Sequence, residues 1–261
     1  MTSSSLPPRL VGVNTKMYFD LPSTTAYVSA VARIAPSPSS SCGIFIIPSY
    51  PCLLAAQKLL EATPQVLLGA QNCHAEDSGA YTGEVSPLML KQAGCSMVCL
   101  GHAERRRAPV NETDEDVAQK AVAVIRNGMI PLVCMGEKTK SNIMSEGVGL
   151  AIRECTPQIM EVMKALPKNV SIIFAYEPVW AIGAQEPASA DHVVSVVLSL
   201  RERIREVFGE HQAGKIRILY GGSAKPGTWE TLKDGVDGLF LGRFAHNIDN
   251  FEKVIEEVEA S

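Results

Sequence analysis

Eight short runs of apolar, often β-branched residues recur along the chain, separated by segments with helical features. Most runs are continuously apolar and do not alternate with polar residues, which is typical of strands buried on both faces of a parallel sheet. The sequence therefore predicts an α/β protein with eight parallel strands. The runs are Leu10 to Val13, Gly43 to Ile47, Val66 to Ala70, Met97 to Leu100, Ile130 to Cys134, Ser171 to Tyr176, Lys215 to Tyr220 and Gly238 to Leu241.

Two of the intervening segments carry clear helix signals. After Thr113 the chain places Asp116 at the capping-box position, an apolar stripe follows, and Gly128 is the expected stop. A second helix is predicted over Asp191 to Phe208, with apolar residues facing inward and a charged face in solvent. Eight strands alternating with helices fit either a closed (β/α)8 barrel or an open doubly wound sheet, and the alternation does not choose between them.

The length and hydrophobic content of the chain fit a single barrel domain. A chain of 261 residues with 46% hydrophobic content suits one barrel domain over residues 1–261, because such barrels have about 250 residues. The Ser- and Pro-rich residues 1–8 are expected to form a mobile tail, and Ser37 to Ser41 a mobile loop.

The net charge of −4 argues against a nucleic-acid or anionic-membrane surface, which needs a concentrated basic patch. No membrane span or secretion signal is found, so a cytoplasmic location is expected.

Cysteine and histidine patterns give no sign of a disulfide framework or a metal site. The seven cysteines lie mostly within apolar stretches and show no C-x-x-C spacing, which favours reduced thiols. The five histidines show no i, i+4 pair beside a carboxylate. We therefore expect neither a metal nor disulfide bonds.

Polar residues that can carry chemistry follow the apolar strands, at the end where barrel active sites lie. They are Asn14 and Lys16 after the first strand, His102 and Glu104 after the fourth, Glu177 after the sixth, Gly221 to Ser223 after the seventh, and Gly242 and Arg243 after the eighth.

Each candidate has a catalytic and a structural interpretation. Glu177 stands between a buried strand and Pro178, where a closing loop could desolvate it as a base, although a glutamate there could equally cap a helix or pair with a lysine. His102 could act as a neutral imidazole at a helix start or be a satisfied strand-end histidine. Lys16 could neutralise a phosphate or an enediolate oxygen, or lie on the surface.

Backbone donors for an anion are also present. Gly221 to Ser223 and Gly242 offer N–H groups, and Ser223 adds a hydroxyl. Neither segment matches the P-loop or the dinucleotide fingerprint, so the sequence does not support nucleotide binding. The run Arg105 to Arg107 is predicted to be solvated or ion-paired.

Taken in order, these segments resemble triosephosphate isomerases over almost the whole chain. The resemblance favours the (β/α)8 barrel over the open sheet, and catalytic roles for Glu177 and His102. The matching segments are G-A-Q-N-C (Gly69 to Cys73), T-G-E-V-S (Thr82 to Ser86), L-G-H-A-E-R-R (Leu100 to Arg106), Y-E-P-V-W-A-I-G (Tyr176 to Gly183) and Y-G-G-S (Tyr220 to Ser223).

The resemblance implies an aldose–ketose isomerase that works through an enediol(ate) without a cofactor. Glu177 would carry a proton between adjacent carbons, and His102 would move protons between the two substrate oxygens. These two roles follow from the resemblance, because a glutamate base with a neutral histidine is the known arrangement of this family. Lys16 and Asn14 would supply electrostatics, and Glu104 would orient the site.

The resemblance also implies a lid that closes over the substrate and an oligomeric state. Pro178 to Gly183 resembles the family's lid, with Gly183, Ser223 and Gly242 donating to phosphate. The segment Gln71 to Ser86 resembles a loop that reaches into a neighbouring subunit, so a homodimer is expected, with Thr82 near the partner's site.

Four departures from the family pattern bear on the substrate, and one is the far hinge of the lid, which reads A-Q-E-P-A where T-G-K-T-A is usual. Thr15 replaces a tryptophan, Ala103 replaces a serine, and Arg243 replaces a glycine whose amide helps to hold phosphate. Arg243 must therefore be accommodated or must itself bind an anion. The expected substrates are dihydroxyacetone phosphate and glyceraldehyde 3-phosphate, with a role in glycolysis and gluconeogenesis. A four-carbon erythrulose phosphate is the alternative, and a catalytically inactive dimeric binding protein is a third hypothesis.

Overall fold

A closed barrel of eight parallel strands forms the centre of the protein. The structure is a computed structural model and describes residues 6–37, 40–182 and 187–261. Strand β1 pairs with both β2 and β8, which closes the barrel and excludes the open sheet. The strands are β1 (Arg9–Asn14), β2 (Cys42–Ile47), β3 (Val66–Ala70), β4 (Met97–Leu100), β5 (Ile130–Met135), β6 (Ile172–Tyr176), β7 (Ile216–Tyr220) and β8 (Gly238–Leu241).

Helices alternate with the strands around the outside of the barrel. The predicted capping box is present: Thr113 accepts from the backbone N–H of Asp116, whose side chain accepts from the backbone of Thr113. The second predicted helix begins one residue early, at Ala190, because Ser189 caps it. The helices are α1 (Leu21–Ile34), α2 (Leu53–Leu60), α3 (Pro87–Gln92), α4 (Ala103–Arg106), α5 (Asp114–Arg126), α6 (Met144–Ala165), α7 (Ala190–Phe208), α8 (Glu210–Ala213), α9 (Thr228–Leu232) and α10 (Ile248–Glu259).

Two hydrophobic cores follow from the two faces of the sheet. The larger one lies between the strands and the helices, and the smaller one fills the barrel interior. In the interior, Phe45 and Phe240 pack with ring centroids 5.6 Å apart. A Cβ on Gly12 would lie 2.0 Å from the Phe45 ring, so the glycine makes room for that side chain. Because both faces of the strands are buried, the apolar runs are continuous.

The described part of the expected tail packs against the barrel. Leu6 is buried in the interior core, and the backbone oxygens of Leu6 and Pro7 accept hydrogen bonds from Arg217. Residues 1–5, and residues 38–39 of the expected mobile loop, lie outside the described residues. An apolar side chain thus covers the end of the barrel opposite the predicted site, which composition did not indicate.

All seven cysteines lie within the described residues, and each is a buried free thiol. Among the described residues, no helix is long and apolar enough to cross a membrane.

Candidate active site

The predicted site residues meet at the carboxyl ends of the strands, around a cavity of about 560 Å³. Gly183 lies outside the described residues, and every other predicted site residue lines this cavity. They are Asn14, Lys16, His102, Glu104, Glu177, Ser223, Gly242 and Arg243. A closed barrel brings together residues that are far apart in sequence, because all eight strands end on the same face.

Glu177 is the first residue after β6, and its backbone N–H donates to the oxygen of Met135 on β5 at 2.8 Å. The two positions that pack against Glu177 from the segments after β5 and β7 must be glycines. A Cβ on Gly136 would lie 1.8 Å from the backbone oxygen of Glu177, and a Cβ on Gly221 would lie 2.6 Å from its side-chain Cγ. The carboxylate position is therefore set by the strands on both sides of β6.

The Glu177 carboxyl group is buried, with only 4% of the residue exposed. Burial raises its pKa, because a charge is poorly solvated there, while the nearby His102 and Lys16 act in the opposite direction. One oxygen, Oε1, is 3.7 Å from the Sγ of Cys134. The other, Oε2, has no hydrogen-bond partner among the described residues. The group is a desolvated carboxyl group with one oxygen that receives no hydrogen bond from the described residues.

His102 caps the short helix α4, and this contact determines its tautomer. Its Nδ1 accepts a hydrogen bond from the backbone N–H of Glu104 at 3.1 Å, so Nδ1 carries no proton and the neutral ring must carry it on Nε2. Nε2 lies 3.8 Å from Oε2 of Glu177. The ring therefore presents an N–H donor beside the carboxylate.

Lys16 adds a positive charge to the same cavity. Its backbone has a positive φ of 51°, and its Nζ donates to Oε1 of Glu104 at 2.9 Å. Burial acts to raise the pKa of Glu104, but this hydrogen bond and the charge of Lys16 outweigh it and lower the pKa. Glu104 is thus ionised and orients the lysine, while the backbone N–H of Lys16 donates to Oδ1 of Asn14 at 2.8 Å.

The opposite wall of the cavity is made by the turns after β7 and β8. Gly221, Gly222 and Ser223 form the first turn, and Gly242 and Arg243 form the second. Arg243 begins a short 3-10 turn that ends at His246. Backbone N–H groups, a hydroxyl and a guanidinium on one wall suit an anion such as phosphate.

The predicted structural role of the arginine run agrees with its contacts. Arg105 pairs with Glu112, and Arg106 pairs with Asp114 and donates to the oxygen of Gly101. These ion pairs hold the segment that follows His102.

A buried polar cluster near the lid was missed by the sequence analysis. Oε1 of Glu137 accepts from the Trp180 indole at 2.8 Å and the Tyr176 hydroxyl at 3.1 Å, and it lies 3.2 Å from Nε2 of His192. Burial raises the pKa of Tyr176, with the charge of Glu137 adding to the effect. The available signal was that Glu137 follows β5 much as Glu177 follows β6, but nothing local connects it with His192.

A larger cavity, of about 770 Å³, lies on the other side of Glu177. It is lined by Arg107, Lys138 and Glu154 among others, and it lacks His102, Lys16 and the glycine turns. The smaller cavity therefore holds the combination of base, donor and positive charge.

The chain is similar to known proteins over most of its length. The family model described as triosephosphate isomerase matches residues 9–258. An L-erythrulose-1-phosphate isomerase from Pectobacterium atrosepticum is 39% identical over 95% of this chain and 94% of its own length. A triosephosphate isomerase from Chlorobium luteolum is 37% identical over 95% and 98%. A second L-erythrulose-1-phosphate isomerase, from Rhizobium etli, is 35% identical over 96% and 92%.

Proposed function

We propose, from the premise that the chain belongs to the triosephosphate isomerase family and is a sugar-phosphate isomerase, that Glu177, His102 and Lys16 are its catalytic residues. The observation that carries the proposal is the buried Glu177 carboxylate facing the Nε2 of His102 at 3.8 Å. A carbonyl moves between adjacent carbons when a base removes a proton from one carbon and returns it to the next.

Glu177 is the base in this proposal. A carboxylate with a raised pKa binds a proton more strongly than an exposed one, which favours abstraction from a carbon acid. Its Oε2 is free to meet the substrate, because no described residue occupies its hydrogen-bonding capacity. The described part of the expected lid, Pro178 to Ile182, begins directly after this residue.

His102 and Lys16 stabilise the charge that develops on the substrate oxygens. A neutral ring with its proton on Nε2 can donate to one oxygen and take the proton back from its neighbour. Lys16 supplies a fixed positive charge beside the enediolate, and Glu104 holds that lysine in place. Asn14 stabilises the same segment.

The phosphate group binds the wall formed by Ser223, Gly242 and Arg243. Gly183 completes this site by the family resemblance, although it lies outside the described residues. No step of the reaction requires a cofactor.

Dihydroxyacetone phosphate and glyceraldehyde 3-phosphate are the first pair of substrates that we propose, with a cytoplasmic role in glycolysis and gluconeogenesis. A four-carbon erythrulose phosphate is the second candidate. It is favoured by the guanidinium of Arg243 at the cavity and by relatives named for that substrate.

Steady-state kinetics on both substrates distinguish the two candidates. A kcat/KM for triose phosphate far below that for erythrulose phosphate rejects the first. If neither is turned over or bound, the third hypothesis, a catalytically inactive binding protein, replaces both.

We also propose that the protein is a homodimer through Gln71 to Ser86. Within this loop the rings of His74 and Tyr81 pack 4.1 Å apart, and the Tyr81 side chain is 45% exposed. Thr82 follows at the loop tip. Sedimentation equilibrium tests this assembly, and a monomer at micromolar concentration would reject it.

A further inference from the structure

The segment that carries Lys16 is held in a conformation that a lysine rarely adopts. Its φ of 51° lies in the left-handed region, which is strained for a lysine unless the surroundings hold it. From one side, its backbone oxygen accepts hydrogen bonds from Ser49 and Gln71, both at 2.8 Å. The opposite side needs a separate anchor.

His246 provides that anchor. Its Nε2 lies 3.1 Å from the backbone oxygen of Asn14, and a carbonyl can only accept, so Nε2 must donate. The ring packs against Phe19 at 4.8 Å and against Tyr18 at 5.4 Å between centroids. The residue therefore joins the turn after β8 to the segment after β1.

The 3-10 turn that contains His246 is itself anchored by a hydrogen bond from α1. The hydroxyl of Tyr27, on α1, donates to the backbone oxygen of Ala245. Arg243 begins the same turn and lines the cavity. One short turn thus carries the candidate phosphate-binding arginine at one end and the anchor of the Lys16 segment at the other.

The charges around the ring favour its neutral form. Burial lowers the pKa of His246, and the positive charges of Lys16 and Arg243 lower it further, against the hydrogen bond to Asn14, which raises it. Among the described residues, these two cations are the charged groups that act on the ring. Protonation would place a third positive charge beside them.

We infer that His246 is a positioning residue for the isomerase reaction. It fixes the Asn14–Lys16 segment relative to Arg243, so that the two cations, Lys16 and Arg243, face the same substrate anion. The inference rests on the proposed function, because it assigns these two residues to the bound substrate. His246 is not one of the described residues that line the cavity, so it acts through the segment that it holds.

The test compares His246→Phe, which keeps a ring but loses the donor, with His246→Gln, whose amide can still donate. We expect His246→Phe to lower kcat/KM about tenfold, the factor that one lost hydrogen bond implies, mainly through KM. His246→Gln should recover most of the loss. His211→Phe is the matched control, because His211 is exposed and lies at the opposite end of the barrel, before β7.

A pH profile separates positioning from a merely structural role. The ratio of kcat/KM between wild type and His246→Gln cancels the titration of the substrate's own phosphate. This ratio should rise as the pH falls below 6.5, because only the wild type gains a charge near the anion. Wild-type kcat/KM in His246→Phe overturns the inference, as does a His246→Gln variant that recovers none of the loss.

Binding of inorganic phosphate keeps this inference distinguishable from the proposed function. Phosphate should raise the Tm of the wild type more than that of His246→Phe, whether or not either sugar phosphate is turned over. Equal shifts in the two proteins overturn the positioning role. Absence of turnover in the wild type rejects the proposed function and leaves the phosphate comparison decisive for His246.

Discussion

Shortening Glu177 by one carbon tests whether its carboxylate is the base. Glu177→Asp withdraws the carboxylate by roughly 1.5 Å, one carbon–carbon bond. The separation between Oε2 and the Nε2 of His102, now 3.8 Å, should grow, and so should the distance to the substrate carbon. A misplacement of about 1 Å costs about 10²-fold in rate, so we expect kcat to fall about 10²–10³-fold, or about 3–4 kcal/mol.

The pattern of kinetic constants carries as much information as the size of the loss. KM should stay near the wild-type value, because Lys16, Ser223 and Gly242 are unchanged. Steady-state assays on the better of the two sugar phosphates measure both constants. Glu256→Asp is the matched control, because that glutamate is exposed on α10. Unchanged kcat in Glu177→Asp, together with wild-type turnover in Glu177→Ala, would refute the assignment.

Three further predictions address the same site. Glu177→Gln should raise the Tm at pH 8, and this gain should vanish below pH 4.5 in thermal melts. The pKa of this acid in the folded state lies above its ordinary value of 4.5, so its ionisation destabilises the folded state as the pH rises from 4.5 through the folded pKa. Gly221→Ala should lower kcat at least tenfold, since its Cβ would lie 2.7 Å from Oε1 of Glu177, whereas Gly149→Ala, with open space, should keep wild-type kinetics. Arg243→Gly should raise kcat/KM for triose phosphate relative to erythrulose phosphate if the arginine excludes the smaller substrate, and an unchanged ratio in competition assays would place substrate choice elsewhere.

The strands were predictable because a parallel barrel buries both faces of each one. Continuous apolar runs located all eight, and the ends that differ, such as Arg9 and Met135, are single residues at the strand termini. The choice between a barrel and an open sheet was not predictable from these runs. It depends on the pairing of β1 with β8, between opposite ends of the chain, and local patterns carry no information on such contacts.

The candidate site was only partly accessible to sequence reasoning. Position after a strand brought Glu177, His102 and Lys16 to one face, but residue type did not separate catalytic from structural roles without the family resemblance. Two buried contacts across long sequence distances were missed. Glu137 and His192 lie 55 positions apart, and His246 meets Asn14 across 232.

Stability and catalysis make opposite demands on Glu177. A buried carboxylate with an oxygen that has no hydrogen-bond partner among the described residues is unfavourable in the folded protein, and the nearby groups offset only part of the cost, since its pKa remains raised. Pairing it directly with Lys16 would relieve the cost but would also lower its basicity. Instead Lys16 is paired with Glu104, which keeps the positive charge in the cavity without neutralising the base. This separation explains why two carboxylates are needed here, one ionised to hold the lysine and one desolvated to accept the proton.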